Sequence, residues 1–228
     1  MKPELLIIAS LLYTAIVSAQ GTIVFDNQAT GVKAYVYGFD PTGPTYVKTG
    51  QNAAGTPPGS VVYNGPPLAG TGFTATLWAR NAATVAGVDD PIDVNGNNLV
   101  QVGGPVGFRP PGIFAGRVAP STANPVVEDV TDASQRATFQ LRVWDNRDGA
   151  ITTWDQAVEA WRAGNTGLGW SPLFTVQSAL GGFGQPPSTP PNLVGLQSFE
   201  LIYPLPEPST IGLGLIGAGC LLLLRHRK

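Results

Sequence analysis

The sequence has little of the chemistry on which many enzymes depend, since it contains one cysteine and one histidine. Cys220 lies in an apolar run near the C-terminus, and His226 is followed by two further residues. The chain before them therefore cannot form a disulfide, a Ser-His-Asp or Cys-His catalytic site, or a zinc or copper site with histidine or cysteine ligands. Carboxylate pairs and lysine nucleophiles are the enzymatic options that stay open.

Charged residues are also few, at 12% of the sequence, and the formal net charge is −2. Lys33 and Lys48 are the only lysines between residues 20 and 205. Proteins that bind nucleic acid need basic patches that neutralise phosphates. A mildly acidic, lysine-poor composition therefore argues against a nucleic-acid partner, and we expect no cofactor.

Glycine and proline are plentiful, with 29 and 21 residues, and they separate short runs in which apolar and polar residues alternate. Residues 72–80 and 137–144 alternate best, which is typical of half-buried antiparallel strands. Trp78 and Trp144 fall on the polar faces of these two strands, which we expect to be exposed. The other predicted strands cover residues 22–27, 32–39, 45–48, 60–63, 174–176 and 197–203.

The number and spacing of these runs predict a mainly β fold, an antiparallel β-sandwich of jelly-roll type with one short helix. The helix is predicted over residues 154–163, where Thr153 and Gln156 have the spacing of a capping box and Gly164 caps the C-terminal end. Its apolar stripe has the i, i+3, i+4, i+7 spacing and consists of Trp154, Ala157, Val158 and Trp161. We expect the helix to cover one edge or open end of the sandwich.

The Gly/Pro-rich segment 181–192 would, by composition alone, suit a linker between domains. Because another predicted strand follows it, we interpret it as a long loop inside the fold.

The N-terminus has the features of a secretory signal peptide. Lys2 precedes an apolar stretch that extends to Val17, and Val17 and Ala19 have the size that signal peptidase accepts at positions −3 and −1. These features predict export through the Sec machinery and cleavage between Ala19 and Gln20. The expected organisation is a signal peptide at 1–19, an exported domain at 20–204 and a tail at 205–228.

The tail contains a second apolar run, residues 209–224, which is followed by the basic residues Arg225, Arg227 and Lys228. As a helix the run would be about 24 Å long, somewhat shorter than the ~30 Å hydrocarbon core of a bilayer. Flanking cations compensate for such a mismatch by snorkelling, and they favour a cytoplasmic C-terminus. The sequence predicts a transmembrane helix at 209–224, which begins after Pro206 and Pro208 because proline is excluded from helix interiors.

The order of Pro206, Glu207 and Pro208, a Gly/Leu-rich span and a terminal basic cluster resembles the PEP-CTERM sorting signal of Gram-negative bacteria. The resemblance covers about a tenth of the chain. It implies that an exosortase, a membrane cysteine protease, recognises the tail and processes it near this motif. The exported domain would then reach the cell surface or the exopolysaccharide matrix. A plain single-span anchor is the alternative.

Similar tails follow many unrelated domains, so the resemblance does not identify a ligand. Residues 141–176 are more loosely similar to a stretch of small secreted PEP-CTERM proteins that lack an assigned activity, and this similarity transfers no site residues.

The segment 89–98 is the richest in oxygen ligands. Asp93, Asn95 and Asn97 stand at alternate positions and could bind Ca²⁺. The spacing departs from that of an EF-hand, because Asn98 and Gly104 occupy the positions of the conserved glycine and bidentate glutamate. A hairpin loop with Asn95 and Gly96 in a type I′ turn is the interpretation that the sequence favours.

Three functions stay open for the exported domain. The leading hypothesis is a non-enzymatic surface or matrix protein. The second is a carbohydrate-binding module that stacks Trp78 and Trp144 on the sugar rings of an exopolysaccharide. The third is a glycoside hydrolase with two carboxylates held ~5–10 Å apart, drawn from the candidates Asp145, Asp148, Asp155 and Glu159.

Overall fold

A computed structural model of the chain describes residues 21–40, 63–93 and 96–204. The described part is mainly β, with eleven strands and one α-helix, α1 (Trp154–Arg162). The strands are β1 (Gly21–Thr22), β2 (Gln28–Ala29), β3 (Val32–Lys33), β4 (Val36–Tyr37), β5 (Phe73–Asn81), β6 (Val100–Val106), β7 (Val126–Val127), β8 (Ala137–Asp145), β9 (Leu168–Trp170), β10 (Phe174–Val176) and β11 (Phe199–Glu200).

The largest sheet is antiparallel and is centred on two nine-residue strands, β5 and β8, which pair along their whole length. Strand β6 pairs with the other edge of β5, while β9 and β10 share the other edge of β8. Ser171 lies between β9 and β10, where its N–H donates to Leu141 O and its Oγ accepts from Leu141 N. Ser171 therefore continues the hydrogen bonding to β8 at the point where the edge strand is interrupted, because Pro172 lacks an N–H.

One face of this sheet supplies the main hydrophobic core. The alternation predicted for β5 and β8 is confirmed, since Leu77, Leu141 and Val143 all point into one buried cluster. The same cluster receives the alternate residues of segment 32–36 and apolar side chains from segments 23–25, 127–130 and 193–201. The sheet therefore packs against short paired segments from both ends of the described chain.

The opposite face of β8 is buried as well, and here the prediction of a solvent-facing surface is wrong. Gln140, Arg142 and Trp144 lie on this face with 0%, 4% and 0% of their surface exposed. Helix α1 lies over this face and forms a second cluster with Trp144 and Trp154, which Trp170 of the neighbouring strand β9 joins. Every residue of β8 up to Trp144 is consequently buried.

Helix α1 begins where the sequence predicts, but it lies over the outer face of the main sheet and not at an edge or open end. The side chain of Thr153 accepts a hydrogen bond from Gln156 N, and Thr153 N donates to Gln156 Oε1, which completes the capping box. Trp154, Ala157 and Val158 are buried, and Trp161 Nε1 donates to Ile202 O at 2.9 Å. Gly164 follows the C-cap Ala163 with φ +80°, the left-handed conformation that glycine adopts without strain.

Replacing Thr153 by alanine should lower the free energy of unfolding by about 1 kcal/mol, because one N-terminal N–H of α1 loses its acceptor. Urea unfolding followed by tryptophan fluorescence would measure the change. Thr152→Ala is the matched control, since it removes an exposed hydroxyl that donates to Gln156 Oε1 and leaves the acceptor of Gln156 N in place. Equal stability of the two variants would contradict the capping role.

The Gly/Pro-rich segment 181–192 is a loop inside the fold, as expected. Its two ends are held against the first strand region, where Gly181 and Thr22 exchange backbone hydrogen bonds and Val24 N donates to Pro191 O. Phe183 is buried in the main core. A Cβ on Gly181 would lie 2.5 Å from Pro190 N, so the loop closes on itself too tightly for any larger residue.

Four strands were not predicted, namely β2, β6, β7 and β9, and the strand predicted over residues 22–27 is a strand only at Thr22. Strand β6 contains Gly103, Gly104 and Pro105, which break the alternating pattern by which strands are recognised. The predicted strand at 45–48, residues 60–62 of the strand predicted at 60–63, the signal peptide and the C-terminal span lie outside the described residues. Within the described ranges, no helix has the length and apolar character needed to cross a bilayer.

Candidate functional site

A polar pocket of about 370 Å³ lies between helix α1 and the loop that leads into β6, on the outer face of the main sheet. The sheet supplies its floor and the helix and loop supply its walls. Its lining combines aromatic, cationic and acidic side chains, namely Trp78, Pro91, Ile92, Asp93, Asn97, Leu99, Arg142, Trp154, Asp155, Val158, Glu159 and Arg162.

Arg142 forms the floor of this pocket. Its guanidinium lies 3.9 Å from the ring centroid of Trp78 and 5.3 Å from that of Trp154, and both distances are within cation–π range. Arg142 Nη2 donates to Asn97 Oδ1 at 2.7 Å and Nε donates to Gln140 Oε1 at 2.9 Å. The cation is therefore fixed by two indole faces and two amide oxygens.

Burial lowers the pKa of Arg142 to about 9, and the negative charge of Asp155 opposes this shift. At neutral pH the guanidinium is still charged, so a buried positive charge is always present at the floor of the pocket. Neutral amides and indole rings solvate it less well than water does. A polar ligand that reaches this floor would meet a strong, preoriented hydrogen-bond donor.

The rim of the pocket is acidic. Asp155 and Glu159 stand one turn apart on α1, and Asp93 projects from the opposite loop. All three are exposed, as is Arg162. With Arg142 and Arg162 as its two cations, the pocket has a net charge of −1 at neutral pH.

The two tryptophans predicted to stack on sugars have different surroundings. Trp144 is completely buried, its Nε1 donates to Ile151 O, and its ring packs edge-on against Trp154, so its predicted exposure is wrong. Trp78 is partly exposed and lines the pocket, with Arg142 over its ring. Trp154, expected to be a core residue, is both buried and part of the pocket wall.

Of the three residues considered as Ca²⁺ ligands, the structure describes Asp93 and Asn97. Asn97 Oδ1 accepts a hydrogen bond from the Arg142 guanidinium, a cation beside which Ca²⁺ would be repelled. Asn95 lies outside the described residues, and Asp93 stands at the rim. Among the residues that the structure describes, no three carboxylate, histidine or cysteine side chains cluster as a metal site would require.

The hairpin interpretation of this segment has support on both sides of Asn95. Gly87 and Asn97 form an antiparallel bridge, and Asn98 N donates to Ala86 O at 3.1 Å. The chain therefore turns back on itself between residues 88 and 96 and presents Asp93 and Asn97 to the pocket.

Two of the four carboxylates considered for hydrolysis, Asp155 and Glu159, lie at the pocket. The other two lie elsewhere. Asp145 ends β8 and accepts a hydrogen bond from Tyr203 OH at 3.1 Å, and Asp148, with φ +56°, belongs to the turn that follows.

The residues of the predicted cleavage site and sorting signal lie outside the described part of the chain. They are Ala19, Gln20, Pro206, Glu207, Pro208, Arg225, Arg227 and Lys228.

Arg142 is the site residue that sequence reasoning missed. Its position on the polar face of an alternating strand marked it as a solvated side chain. One signal in the sequence pointed to the burial of that face, namely the apolar stripe of α1 that contains Trp154 and Val158. An apolar stripe on a short helix has to pack against the face of a sheet.

The fold and the pocket define a mainly β domain with a preformed polar and aromatic site. No protein-family model matches the chain, and neither a curated protein nor a solved structure matches it.

Proposed function

We propose that the protein is an exported cell-surface or matrix protein and that its β domain binds saccharide in the pocket around Arg142. The sorting proposal is carried by the order of Pro206-Glu207-Pro208, apolar span and basic end in the sequence. The saccharide proposal is carried by one structural observation, the joint presence of Trp78, Arg142 and rim carboxylates around a single pocket.

The proposal also includes the arrangement of the strands in two layers. Strands β5, β6, β8, β9 and β10 would form one layer of a jelly-roll-like sandwich, and the pairs β1–β7 and β4–β11 would contribute to the other. The single core cluster between them supports this arrangement. The parallel pairing of β4 with β11 is compatible with it, because these strands come from opposite ends of the domain.

Saccharides need the combination of groups found in this pocket. The C–H face of a sugar ring packs on an indole, while its hydroxyls bind charged and amide groups at several fixed directions. Here Trp78 offers the indole, and Asp155, Glu159 and Asn97 offer oxygen atoms. The guanidinium of Arg142 supplies donors from below.

The charge of the pocket narrows the class of saccharide. Three carboxylates outnumber two guanidinium groups, so an acidic sugar such as a uronate would be repelled at the rim. Neutral sugars, which use carboxylates as hydrogen-bond acceptors, and amino sugars, which pair with them, are favoured. We therefore propose a neutral or amino-sugar polysaccharide as the ligand.

Binding is favoured over hydrolysis by the placement of the carboxylates. A glycosidase pair flanks the scissile bond from two sides, and one member has a raised pKa. The two carboxylates considered for hydrolysis that reach the pocket, Asp155 and Glu159, come from adjacent turns of one helix and so share one wall; Asp93, on the opposite loop, is the one carboxylate that faces them among the lining residues. The carboxyl group of Glu200, whose pKa is raised to about 7, is not among the residues that line this pocket.

The test is a binding screen of the purified protein against neutral, amino and uronic oligosaccharides, followed by titration calorimetry. Asp155→Asn and Glu159→Gln should each weaken binding of the best neutral or amino sugar about tenfold, the effect of losing one charged hydrogen bond. Trp78→Ala should weaken it more, since it also removes a partner of Arg142.

Glu128→Gln is the matched control, because Glu128 is an exposed carboxylate outside this pocket. Its affinity should equal that of the wild type. Preferential binding of uronic oligosaccharides would contradict the proposed site. Equal affinity of the wild type and the three pocket variants would contradict it too. Release of reducing ends from a polysaccharide would favour the hydrolase alternative.

The sorting proposal predicts that Glu207→Ala leaves export intact and blocks removal of the tail. Prolines on both sides of Glu207 disfavour a helix, an extended segment suits a protease groove, and Glu207 adds the one charge that a basic pocket would recognise. Immunoblots of fractionated cells that carry an exosortase should show uncleaved variant in the inner membrane and processed wild type outside it. Equal processing of both would reduce the tail to a plain anchor.

A further inference from the structure

The loop 109–117 carries the most exposed large hydrophobic side chain of the described structure. Ile113 is 88% exposed and the adjoining Phe114 is 42% exposed. The residues before them, Pro110, Pro111 and Gly112, are exposed as well. An apolar run of this kind at a loop tip differs from the single scattered hydrophobic residues that are ordinary on protein surfaces.

Two arginines flank this tip. The guanidinium groups of Arg109 and Arg117 lie 5.5 and 5.6 Å from the ring centroid of Phe114. Arg117 lies 3.7 Å from Asp26, and the Nε atoms of both arginines are buried without a hydrogen-bond partner. The loop 109–117 itself carries these two cations and no acidic residue, and Asp26 offsets part of their charge through its ion pair with Arg117.

The loop is firmly attached at its base. Arg109 N donates to Arg117 O, Gly116 N donates to Leu68 O, and Gly116 O accepts from Val36 N. Asn27 Nδ2 also donates to Gly116 O at 2.8 Å. The apolar tip is therefore held outward by the fold.

The same short segment, residues 66–70, connects this loop with the end of the described chain. Gly70 N donates to Arg109 O and Gly70 O accepts from Phe108 N. On its other side, segment 66–69 lines an apolar pocket of about 370 Å³ together with Leu201 and Tyr203. Segment 66–70 thus contacts the base of the loop and also lines the pocket that contains Tyr203.

Five residues separate Tyr203 from the proposed membrane span at 209–224, and this step rests on the proposed anchoring function. The six backbone steps from Tyr203 to residue 209 extend at most about 22 Å, so Tyr203 stays within that distance of the bilayer for as long as the tail is attached. Apolar tips flanked by cations are suited to such a boundary, because the hydrophobic groups enter the acyl region and the cations meet lipid phosphates.

We propose that the Ile113–Phe114 tip inserts into the surface of the membrane that anchors the domain, with Arg109 and Arg117 at the level of anionic lipid headgroups. The contact would orient the domain before processing and hold segment 205–208 close to the bilayer. After the tail is removed, two apolar side chains and two cations alone bind a membrane only weakly. The domain could then leave the surface.

The experiment uses the full chain in phosphatidylcholine vesicles that contain phosphatidylglycerol. In a Cys220→Ser background, which removes the only native cysteine, Ile113→Cys is labelled with an environment-sensitive fluorophore. Val88→Cys, also an exposed apolar position, is the matched control. The label at position 113 should emit at shorter wavelength and be quenched by lipids with brominated acyl chains, whereas the label at 88 should show neither change.

Combining Arg109→Gln with Arg117→Gln should reduce the quenching at position 113 in these vesicles, and added salt should do the same. Similar emission and quenching at positions 113 and 88 in chains that resist carbonate extraction would overturn the loop proposal while the anchor stands. A label at 113 that is shielded equally in detergent, or that crosslinks to a second copy, would show a protein contact instead. Failure of the chain to stay with the vesicles would overturn the anchor and this inference together.

Discussion

Replacing Asn27 by alanine is expected to lower the free energy of unfolding by about 3 kcal/mol. Asn27 is completely buried, and its side chain joins three stretches of backbone. Its Nδ2 donates to Ala34 O at 2.7 Å and to Gly116 O at 2.8 Å, and its Oδ1 accepts from Val118 N at 2.9 Å. Gly116 O would keep the hydrogen bond from Val36 N, but Ala34 O and Val118 N would lose their Asn27 partner in the interior, and each such loss costs about 1–3 kcal/mol.

The size of this effect matters because single domains have a net stability of only about 5–15 kcal/mol. Urea unfolding of the wild type and the variant, followed by circular dichroism and fluorescence, would measure it. Asn192→Ala is the control, since its side chain makes one exposed hydrogen bond, to Thr30 O, and its loss should cost less than about 0.5 kcal/mol. Similar midpoints for the two variants would show that Asn27 does not hold these segments together.

Asn27→Asp separates hydrogen bonding from side-chain volume. Aspartate keeps an acceptor for Val118 N, but it places oxygen atoms against the carbonyls of Ala34 and Gly116. This variant should therefore lose at least as much stability as Asn27→Ala above the pKa of the new carboxyl, and it should recover part of the loss in acid. A loss that does not change with pH would contradict that explanation.

Replacing Glu200 by glutamine is expected to stabilise the protein above pH 7. Glu200 is 5% exposed and lies on β11 opposite Tyr37 of β4. Burial raises the pKa of its carboxyl group from 4.5 to about 7, and the negative charge of Asp40 adds to the shift. The pKa of the Tyr63 hydroxyl is raised as well, mainly by burial, and the negative charge of Glu200 adds to that shift.

The direction of the pH dependence follows from proton binding. Between pH 4.5 and about 7 the folded protein holds a proton on Glu200 that the unfolded chain has released. The contribution of this group to stability therefore falls as the pH rises through that range, and the cost persists above it. A shift of this size corresponds to at most about 3 kcal/mol.

Glutamine is a neutral side chain of nearly the same shape, so it removes the cost of ionisation. The difference in unfolding free energy between Glu200→Gln and the wild type should be close to zero at pH 4 and should grow to its full value by pH 8. Glu128→Gln, at an exposed position, should show no such growth. A Glu200→Gln advantage that is constant with pH would mean that ionisation is not its cause.

The sequence by itself determined the local structure wherever a short pattern decides it. The alternation of β5 and β8 placed Leu77 and Leu141 correctly in the core. The Thr153–Gln156 spacing located the start of α1 to the residue. These features follow from neighbouring residues alone, because strand pleat and helix capping are properties of a few consecutive residues.

Only the tertiary structure decided what covers each face. The pattern of β8 marked Arg142 and Trp144 as solvent-facing, yet helix α1 buries both. Periodicity separates the two faces of a strand, but it does not say whether a distant segment lies over the polar one. The pocket exists because Trp78 from β5, Arg142 from β8, Asn97 from a loop and Glu159 from a helix meet there. Their convergence depends on long-range packing, on which the spacing of residues along the chain carries no information.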